Sequence, residues 1–322
     1  MNKVLITGAC GYLGARISKH LAKDGYRVTA FDNYDPSAHS QWVSLMDEVV
    51  VGDIRDESTI SDLADRNFNV VVHLISLDHH KSDSSPNFVS SINVMPTWNL
   101  LEQFTKKGLE KFIYFSTIQV YGTLPQEKIT EDRTPNPLNA YGLTHLISEN
   151  ICNYYNITET ECINVRLSNS YGSPVFNENN CWWLVINDLC KTAHEKQEIN
   201  LSSDGSPQRD FIHGSDVSRA IKVLINADKK NIKHNIFHIS SENTLTIWEL
   251  AHAVKKVYKD RYNIEIDISA PQNKRSVPSD IFSKSKKYTI TNSKLKSLGF
   301  TPKTELKTGI NEIFDYLDRA HE

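Results

Sequence analysis

Three glycines near the N-terminus constrain the fold of this chain more than any other feature. A short apolar run, Lys3–Thr7, leads directly into Gly8, Gly11 and Gly14, and a helical pattern follows. Glycines so placed permit a tight turn, a close approach of backbone to pyrophosphate, and close packing of helix on strand. The amides at the start of that helix attract the phosphates. A strand, this turn and a helix in that order predict the dinucleotide site of a Rossmann fold. The residues that we expect to contact the dinucleotide here are Gly8, Gly11, Tyr12, Leu13 and Gly14.

The first 165 residues alternate short β-branched runs with longer helical patterns. The predicted strands are Lys3–Thr7, Arg27–Asp32, Glu48–Val51, Val70–Ile75, Lys111–Ser116 and Glu161–Leu167. The predicted helices between them are Tyr12–Lys23, Glu57–Asp65, Asn87–Lys106 and Ala140–Asn153. Several strands are apolar almost throughout, as strands covered by helices on both faces must be. The pattern predicts an α/β fold with a doubly wound, parallel, Rossmann-type sheet.

After Leu167 the alternation fades, and helical runs are separated by turn-rich segments. The predicted helices in this half are Trp182–His194, Ser215–Asn226, Ile247–Tyr258 and Lys307–Arg319. The predicted strands are Asp210–His213 and Ile264–Ile268, and Ile236–Ile239 is a further short element. We interpret them as a smaller α+β domain that is interleaved with the first. The predicted division is a Rossmann domain over 1–168, with a return segment at about 209–238, and a substrate-binding domain formed by 169–208 and 239–322.

Composition excludes several classes of protein. The net charge of -3 argues against a nucleic-acid partner, which would call for a basic surface. The five cysteines are odd in number and lack C-x-x-C spacing, which argues against a zinc site or a disulfide framework and for a reducing compartment. The chain shows no signal peptide, and no apolar stretch approaches the ~18 residues of a membrane span. We therefore expect a soluble, cytoplasmic protein with no metal and no membrane partner.

Two aspartates indicate which dinucleotide is bound. Asp32 ends the second predicted strand, 18 residues after Gly14, where a carboxylate accepts hydrogen bonds from ribose hydroxyls and repels a 2′-phosphate. Because no arginine immediately follows it, NAD is favoured over NADP. Asp53 follows the third strand, and it either receives the adenine amino group or caps the next helix. Asn33 and Ile54, the residues after these two aspartates, complete this part of the predicted cofactor site.

The motifs resemble those of the extended short-chain dehydrogenases/reductases, and within them the NAD-dependent nucleotide-sugar epimerases and dehydratases. The glycine turn has the family's G-x-x-G-x-x-G form, and further blocks follow in family order and spacing over about residues 1–220. These blocks are His73-Leu74-Ile75, Asn93-Val94 with Asn99-Leu100-Leu101-Glu102, Ser116–Gly122, Asn139–Gly142, Arg166–Gly172 and Arg209–His213. The resemblance implies further cofactor contacts at Leu74, Ile75, Ser76 and Asn93.

The resemblance also implies a set of catalytic residues. In the family a tyrosinate exchanges a proton with a sugar hydroxyl while hydride passes to the nicotinamide. A Ser or Thr hydroxyl shares that hydrogen bond, and a lysine one helical turn beyond lowers the tyrosine pKa and holds the nicotinamide ribose. Tyr141 matches the tyrosine, and Thr117 matches the hydroxyl that also contacts substrate. A tyrosine with an ordinary pKa near 10 must be perturbed to act as a base at neutral pH.

The position of the family's lysine holds His145 in this chain. It follows Tyr141 by four residues, so both side chains share one helix face and both are expected at the cofactor. A histidine with an ordinary pKa near 6.5 is mostly neutral at pH 7 and would stabilise a tyrosinate poorly. Three interpretations stay open. His145 is held protonated by a neighbour, or it acts in a proton relay, or the enzyme is slow or degenerate.

A second departure concerns the two residues after Thr117. The family's 4,6-dehydratases place an acidic pair there, and its decarboxylating members rely on a glutamate where this chain has Gln119. Ile118 and Gln119 cannot deliver or remove those protons, so dehydration and decarboxylation are disfavoured. The predicted function is a nucleotide-sugar epimerase that acts by transient oxidation at C4. The alternatives are a nucleotide-sugar dehydrogenase or 4-ketoreductase with net NAD(H) turnover, and a weakly active, NAD-binding regulatory protein.

On the substrate side, Asn169, Arg209 and Arg275 match family residues that bind the nucleoside-diphosphate sugar, and an arginine is well suited to bidentate phosphate contact. The adjacent Trp182 and Trp183 point in different directions, so at most one should line the pocket, and core packing is the favoured role. We expect the loop that carries His79-His80 to be solvated or to face the substrate rather than to bind a metal.

Two predicted helices, Asn87–Lys106 and Ala140–Asn153, carry apolar stripes. The stripes are Val94, Trp98, Leu101 and Phe104 on the first helix and Leu143, Leu146, Ile147 and Ile151 on the second. One stripe must pack on the sheet. Because family members commonly pair these two helices across a two-fold axis, the resemblance implies a homodimer.

Overall fold

The computed structural model describes residues 2–229, 235–271 and 287–320. Its strands are β1 (Lys3–Thr7), β2 (Arg27–Asp32), β3 (Glu48–Val51), β4 (Val70–His73), β5 (Lys111–Thr117), β6 (Lys128–Ile129), β7 (Glu161–Leu167), β8 (Asn169–Tyr171), β9 (Glu198–Asn200), β10 (Gln208–His213), β11 (Ile236–Ile239), β12 (Thr244–Thr246), β13 (Asp267–Ser269) and β14 (Thr289–Ile290). Its α-helices are α1 (Tyr12–Lys23), α2 (Ser40–Val43), α3 (Glu57–Ala64), α4 (Pro86–Asn93), α5 (Met95–Thr105), α6 (Ala140–Tyr155), α7 (Val185–Lys196), α8 (Gly214–Asn226), α9 (Ile247–Tyr262), α10 (Ser293–Ser297) and α11 (Leu306–Ala320).

Seven strands form one sheet in the order β3-β2-β1-β4-β5-β7-β11, and neighbouring strands are parallel throughout. The chain runs outward from β1 to β3, then returns to β4 on the other side of β1. Such a reversal opens a crevice at the carboxyl ends of the strands, where ligands of doubly wound sheets bind. The predicted Rossmann-type sheet is confirmed, and β11, from the second half of the chain, forms one edge of it.

Both faces of this sheet are covered, because successive side chains of a strand point to opposite faces. Leu5 of β1 packs with Leu63 of α3 and Leu101 of α5 on one side. Its neighbour Ile6 packs with Ile17 of α1 on the other side, where α8 also contributes. All of these side chains are buried. The nearly continuous apolar character of the strands thus follows from helices on both faces.

The second half of the chain adds a separate core and smaller sheets. In one sheet β10 lies between β8, which is parallel to it, and β12, which is antiparallel. Helices α7, α9 and α11 pack together through Ile186, Leu250 and Phe314, whose side chains are fully buried. None of the helices within the described residues combines the length and the apolar composition that a membrane span needs. All five cysteines are buried and unpaired.

Several predicted boundaries were wrong. The helix predicted over Asn87–Lys106 is two helices that meet at Val94. Pro96, near the start of α5, has no amide proton and its ring clashes with the preceding turn, so the first helix ends there. Residues before Val185 were predicted as helix but form a turn, in which the Leu184 amide donates to the Cys181 carbonyl at 3.1 Å.

Two predicted strands also differ from the structure. The strand predicted over Val70–Ile75 ends at His73, where its pairing with β1 and β5 stops. The strand predicted over Ile264–Ile268 lies over Asp267–Ser269, because this short strand is defined by its pairing with β9.

Candidate active site

A cavity of about 1000 Å³ opens at the carboxyl edge of the large sheet. Its walls come from the segments that follow β1, β4 and β5, which bring Gly11, Ser76 and Thr117 to one space. The second half of the chain closes it with Asn169 and Arg209. The cavity therefore lies at the switch point of the sheet and joins the glycine turn to the predicted substrate side.

The glycine turn has the geometry that its sequence predicts. Gly8 has φ +71°, in the left-handed region that favours glycine. A Cβ at Gly14 would lie 1.9 Å from the Gly8 carbonyl oxygen, so only glycine allows helix α1 to approach the turn. The residue before α1, Gly11, provides no side-chain cap, which leaves the first amides of the helix available to an anion. Tyr12, Leu13 and the three glycines all line the cavity.

Asp32 ties the end of β2 to this turn. Its carboxylate accepts hydrogen bonds from the amides of Cys10 at 2.8 Å and Tyr34 at 3.1 Å. Burial raises the pKa of Asp32, and the backbone hydrogen bonds oppose that shift. Asp32 and its neighbour Asn33 are not among the residues that line the cavity, and they lie at the carboxyl end of β2, the strand next to β1.

Asp53 does not cap a helix. Its carboxylate accepts a hydrogen bond from the Arg55 amide at 2.9 Å and pairs with the Arg55 guanidinium. The residue that precedes α3 is Asp56, so the capping interpretation of Asp53 was wrong. The alternative, a contact with adenine, stays a prediction. The following residue, Ile54, is buried and packs with Phe31 of β2.

The segment after β4 holds several of the other predicted cofactor contacts. Leu74 and Ser76 line the cavity, whereas Ile75 packs against the sheet. Asn93 is fully buried behind this segment. Its side chain accepts a hydrogen bond from the Leu77 amide at 2.7 Å and thereby holds the loop in place.

Thr117 and Tyr141 meet at the cavity wall. Thr117 ends β5, and Tyr141 lies in the first turn of α6, which begins after Asn139. Asn139 accepts a hydrogen bond from the Gly142 amide at 2.7 Å and so fixes where this helix starts. Burial raises the pKa of Tyr141 to about 12, with a hydrogen bond from the Thr117 side chain opposing the shift and the charge of Asp78 adding to it.

His145 lies one turn along the same helix, and its side chain is 1% exposed. Its Nδ1 is 2.8 Å from the backbone carbonyl oxygen of Tyr141, and the two ring centroids are 4.3 Å apart. A carbonyl can only accept, so Nδ1 carries the proton and Nε2 keeps its lone pair. Burial lowers the pKa of His145 to about 4. The ring is therefore neutral near pH 7, which contradicts the interpretation that a neighbour keeps it protonated.

A second histidine lies behind His145. His73, at the end of β4, is fully buried, and its Nδ1 is 2.6 Å from the Thr7 hydroxyl. Burial lowers its pKa to about 3, and the proximity of His145 adds to the shift. Both imidazoles are thus uncharged near pH 7.

The residues after Thr117 carry no acid. Ile118 is buried and packs with Tyr121, and Gln119 accepts a hydrogen bond from the Asn139 side chain at 3.0 Å. A Cβ at Gly142 would lie 2.7 Å from the Gln119 carbonyl oxygen, so glycine there permits the close approach of α6.

On the substrate side, Asn169 and Arg209 both line the cavity. Asn169 donates to the Asp210 carbonyl at 2.9 Å, and the exposed Arg209 donates to the Gln208 carbonyl at 2.8 Å. The Tyr288 hydroxyl donates to the same Gln208 carbonyl at 3.0 Å. Arg275 lies outside the described residues.

Core packing, the role favoured for the two adjacent tryptophans, applies to only one of them. Trp183 lines the cavity, together with His79 and His80, whereas Trp182 packs against Tyr316. In the described residues no group of three or more His, Cys, Asp or Glu side chains is arranged to hold a metal ion.

Sequence reasoning missed two features of the site. The first is Asp78, whose carboxylate accepts hydrogen bonds from the amides of His80 and Lys81 and acts on Tyr141 through its charge. An aspartate at the start of a loop is typical of a turn in which its side chain accepts hydrogen bonds from the following amides. The turn at Asp78 could therefore have been detected from the sequence.

The second missed feature is a buried ion pair between Arg166 of β7 and Glu149 of α6. Two hydrogen bonds of 2.9 and 2.7 Å join them, and each side chain is 2% exposed. Ser116 of β5 donates to the same carboxylate, and the Tyr121 hydroxyl accepts from Arg166 at 2.8 Å. The cluster fixes α6 against β5 and β7, and therefore fixes Tyr141 against Thr117.

The comparisons with known proteins agree with this geometry. A sequence model of the NAD-dependent epimerase/dehydratase family matches residues 4–240, most of the chain. The chain belongs to this family. The predicted resemblance to extended short-chain dehydrogenases/reductases is confirmed, and so is the predicted cofactor, since the family is NAD-dependent.

Relatives in this family include epimerases and dehydratases. The UDP-glucose 4-epimerase of Corynebacterium glutamicum is 26% identical over 339 residues, covering 99% of this chain and 98% of that protein. The dTDP-glucose 4,6-dehydratase of Streptomyces niveus is 23% identical and covers 98% of this chain and 92% of that protein. The UDP-glucuronic acid 4-epimerase of Bacillus cereus, solved with UDP-glucuronic acid and NAD, has a TM-score of 0.80 and 24% identity over 99% of both chains. That structural likeness shows the shared fold.

Proposed function

We propose that this protein is an NAD-dependent nucleotide-sugar 4-epimerase with Tyr141 as its acid/base. The observation that carries the proposal is that Thr117 and Tyr141 lie together in the wall of one cavity, which connects the glycine turn to Asn169 and Arg209. Epimerases among the relatives support the same reaction class.

The residues of the glycine turn fit NAD. The turn leaves amides at the start of α1 without a side-chain cap, and Gly14 leaves room that any Cβ would fill. We propose that these amides bind the pyrophosphate, that Asp32 binds the adenosine ribose, and that the Nε2 lone pair of His145 accepts a hydrogen bond from the nicotinamide ribose. When bound, NAD supplies the chemistry of accepting a hydride and returning it.

Tyr141 moves the proton in this proposal. Thr117 orients the Tyr141 hydroxyl, which as tyrosinate takes the proton of the sugar's C4 hydroxyl and later returns it. A 4-keto sugar that turns over in the cavity before it is reduced emerges with the opposite configuration at C4. Since the pKa of Tyr141 is about 12 and the neutral His145 adds no positive charge, the base form is scarce at pH 7. We therefore expect a slow enzyme whose rate rises with pH.

The nucleotide half of the substrate is assigned to Asn169 and Arg209. We propose that the Arg209 guanidinium pairs with the diphosphate, a contact that its two parallel N–H groups suit. Dehydration is disfavoured because Ile118 and Gln119 carry no acid in the positions that the dehydratases use. A dehydratase among the relatives makes this a point for direct test.

We also propose which part of the chain binds the cofactor and which part binds the substrate. Residues 1–168 with 209–238 would hold the cofactor, and 169–208 with 239–322 would hold the substrate.

Apolar side chains that are 40–50% exposed on α5 and α6 fit the homodimer expected from the family. These side chains are Met95, Trp98, Leu143 and Ile147.

The test is incubation of the purified protein with NAD and a panel of UDP-, dTDP- and CDP-sugars, with NMR analysis of products and absorbance of NADH. A C4 epimer without net NADH supports the proposal. A keto sugar with stoichiometric NADH would instead indicate a dehydrogenase, or a ketoreductase running in reverse, and a 4-keto-6-deoxy sugar without net NADH would indicate a dehydratase. Tight NAD binding with no product from any sugar would indicate the regulatory protein that the neutral His145 favours.

A further inference from the structure

Trp183 is a large aromatic side chain left open to the cavity. It is 46% exposed, although its neighbour Trp182 packs against the core. Its indole Nε1 donates to the Asn180 carbonyl at 2.9 Å, which fixes the direction of the ring. An exposed tryptophan whose polar atom is already bonded offers its apolar surface to a ligand.

Two imidazoles extend this surface. The rings of Trp183 and His79 have centroids 5.5 Å apart, and the rings of His79 and His80 have centroids 4.0 Å apart. Burial lowers the pKa of His79, and the charge of His80 adds to that shift. The His79 imidazole, which lies next to Trp183, is thus mostly uncharged at neutral pH.

The position of Trp183, His79 and His80 in the cavity indicates which part of a substrate they would contact. His79 and Trp183 line the same cavity as Tyr141, and Asp78, next to His79, is close enough for its charge to act on Tyr141. Arg209 and Tyr288 belong to the segments that close the substrate side. A ligand held by its diphosphate at Arg209 and reacting at Tyr141 would place its sugar between them.

We propose that Trp183 and His79 form an aromatic platform on which the hexose ring of the substrate packs, an inference that rests on the proposed function. The axial C–H bonds of a pyranose carry partial positive charge, which the negative face of an indole attracts. This contact has little directional preference. It therefore suits a 4-keto sugar that must present first one face and then the other, where fixed hydrogen bonds would hold only one orientation.

The test compares the affinities of a sugar nucleotide and of its nucleoside diphosphate. UDP-glucose with UDP, and likewise the dTDP and CDP pairs, are titrated calorimetrically into the NAD-loaded protein. Trp183→Ala is expected to weaken the sugar nucleotide about tenfold, the size of one aromatic contact, and to leave the diphosphate unchanged. Trp183→Phe should retain most of the affinity. Trp182→Phe is the matched control and should change neither.

A direct readout is saturation-transfer NMR with selective irradiation of aromatic protons. The sugar C–H protons should receive saturation in the wild type and in Trp182→Phe, and lose most of it in Trp183→Ala. The proposal is overturned if Trp183→Ala weakens both ligands equally, if it weakens NAD instead, or if no sugar nucleotide of the panel binds the wild type. These are binding measurements, so Tyr141→Phe should greatly reduce turnover yet keep the Trp183 effect. Failure of the epimerase assay with an intact platform would then refute only the proposed reaction.

Discussion

The imidazole of His145 donates from Nδ1 to the backbone carbonyl of Tyr141 at 2.8 Å, within one turn of the same helix. This bond fixes the tautomer of a buried ring and leaves its Nε2 as an acceptor. In the position where the resemblance implies a lysine, the chain thus has a neutral acceptor instead of a cationic donor. The relationship makes the electrostatics around Tyr141 the central question about its activity.

His145→Lys should shift the pH–rate profile to lower pH. The pKa of Tyr141 is raised, to about 12, so the rate is expected to rise with pH as the base form becomes populated. A cation within a few ångströms favours the tyrosinate and lowers that pKa by about 1–3 units. Measuring kcat/KM from pH 6 to 10 reports the shift. His145→Gln, which is neutral, is the control, and an unchanged profile in His145→Lys would show that residue 145 does not tune Tyr141.

Tyr141→Phe removes the proposed acid/base while it keeps the ring. We expect kcat to fall by about 10²–10⁴-fold, the usual contribution of such a group, with NAD affinity close to that of the wild type. Thr117→Val removes only the hydrogen-bonding partner and should cost about 2- to 10-fold. Retention of most activity in Tyr141→Phe would rule out this tyrosine as the acid/base.

Gly14→Ala should weaken NAD binding. The new Cβ would lie 1.9 Å from the Gly8 carbonyl oxygen, so helix α1 must move away from the turn. Overpacking of this kind costs about 1–3 kcal/mol, which corresponds to a loss of about 5- to 160-fold in affinity. Gly108→Ala is the control, since a Cβ there meets nothing within 4 Å. It should lower stability through its φ of +77° and leave NAD affinity unchanged, as calorimetry can establish.

Glu149→Gln should strongly destabilise the protein. It leaves the guanidinium of Arg166 buried without its counter-charge, and breaking a buried pair in this way costs about 3–5 kcal/mol. Urea denaturation measures the loss. Glu127→Gln, which removes an exposed partner of Arg133, should cost less than about 1 kcal/mol. Equal effects of the two substitutions would contradict the role assigned to the buried pair.

Glu312 should make stability depend on pH in the acid range. Burial raises the pKa of Glu312, but a hydrogen bond from His213 and the charge of Arg16 outweigh it, and the net shift is well downward. A folded-state pKa below the unfolded value stabilises the fold above about pH 4.3, and this stabilisation is lost as pH falls toward the folded value. Glu312→Gln should therefore lower the melting temperature at pH 7, with the difference from wild type shrinking below about pH 4. The exposed Glu305→Gln is the control.

Much of the cofactor half could be predicted because its signals are local. The glycine turn depends on contacts within a few residues, such as that between Gly8 and Gly14, and the apolar strands indicate their own burial. The break between α4 and α5 was also a local signal, carried by Pro96, but a continuous apolar stripe on both sides concealed it. The choice between Trp182 and Trp183 was not local, because it depends on how the turn before α7 packs on α11.

The sequence by itself determined the class of fold, the geometry of the glycine turn and the identity of the residues on one face of α6. These follow from the spacing of glycines, from alternation and from the 3.6-residue helical repeat, all of which act along the chain. Only the tertiary structure decided that His145 is neutral, that Asp78 acts on Tyr141, and that Arg166 and Glu149 hold the helix in place. Protonation depends on burial and on charges brought from distant segments, and neither quantity exists until the chain has folded.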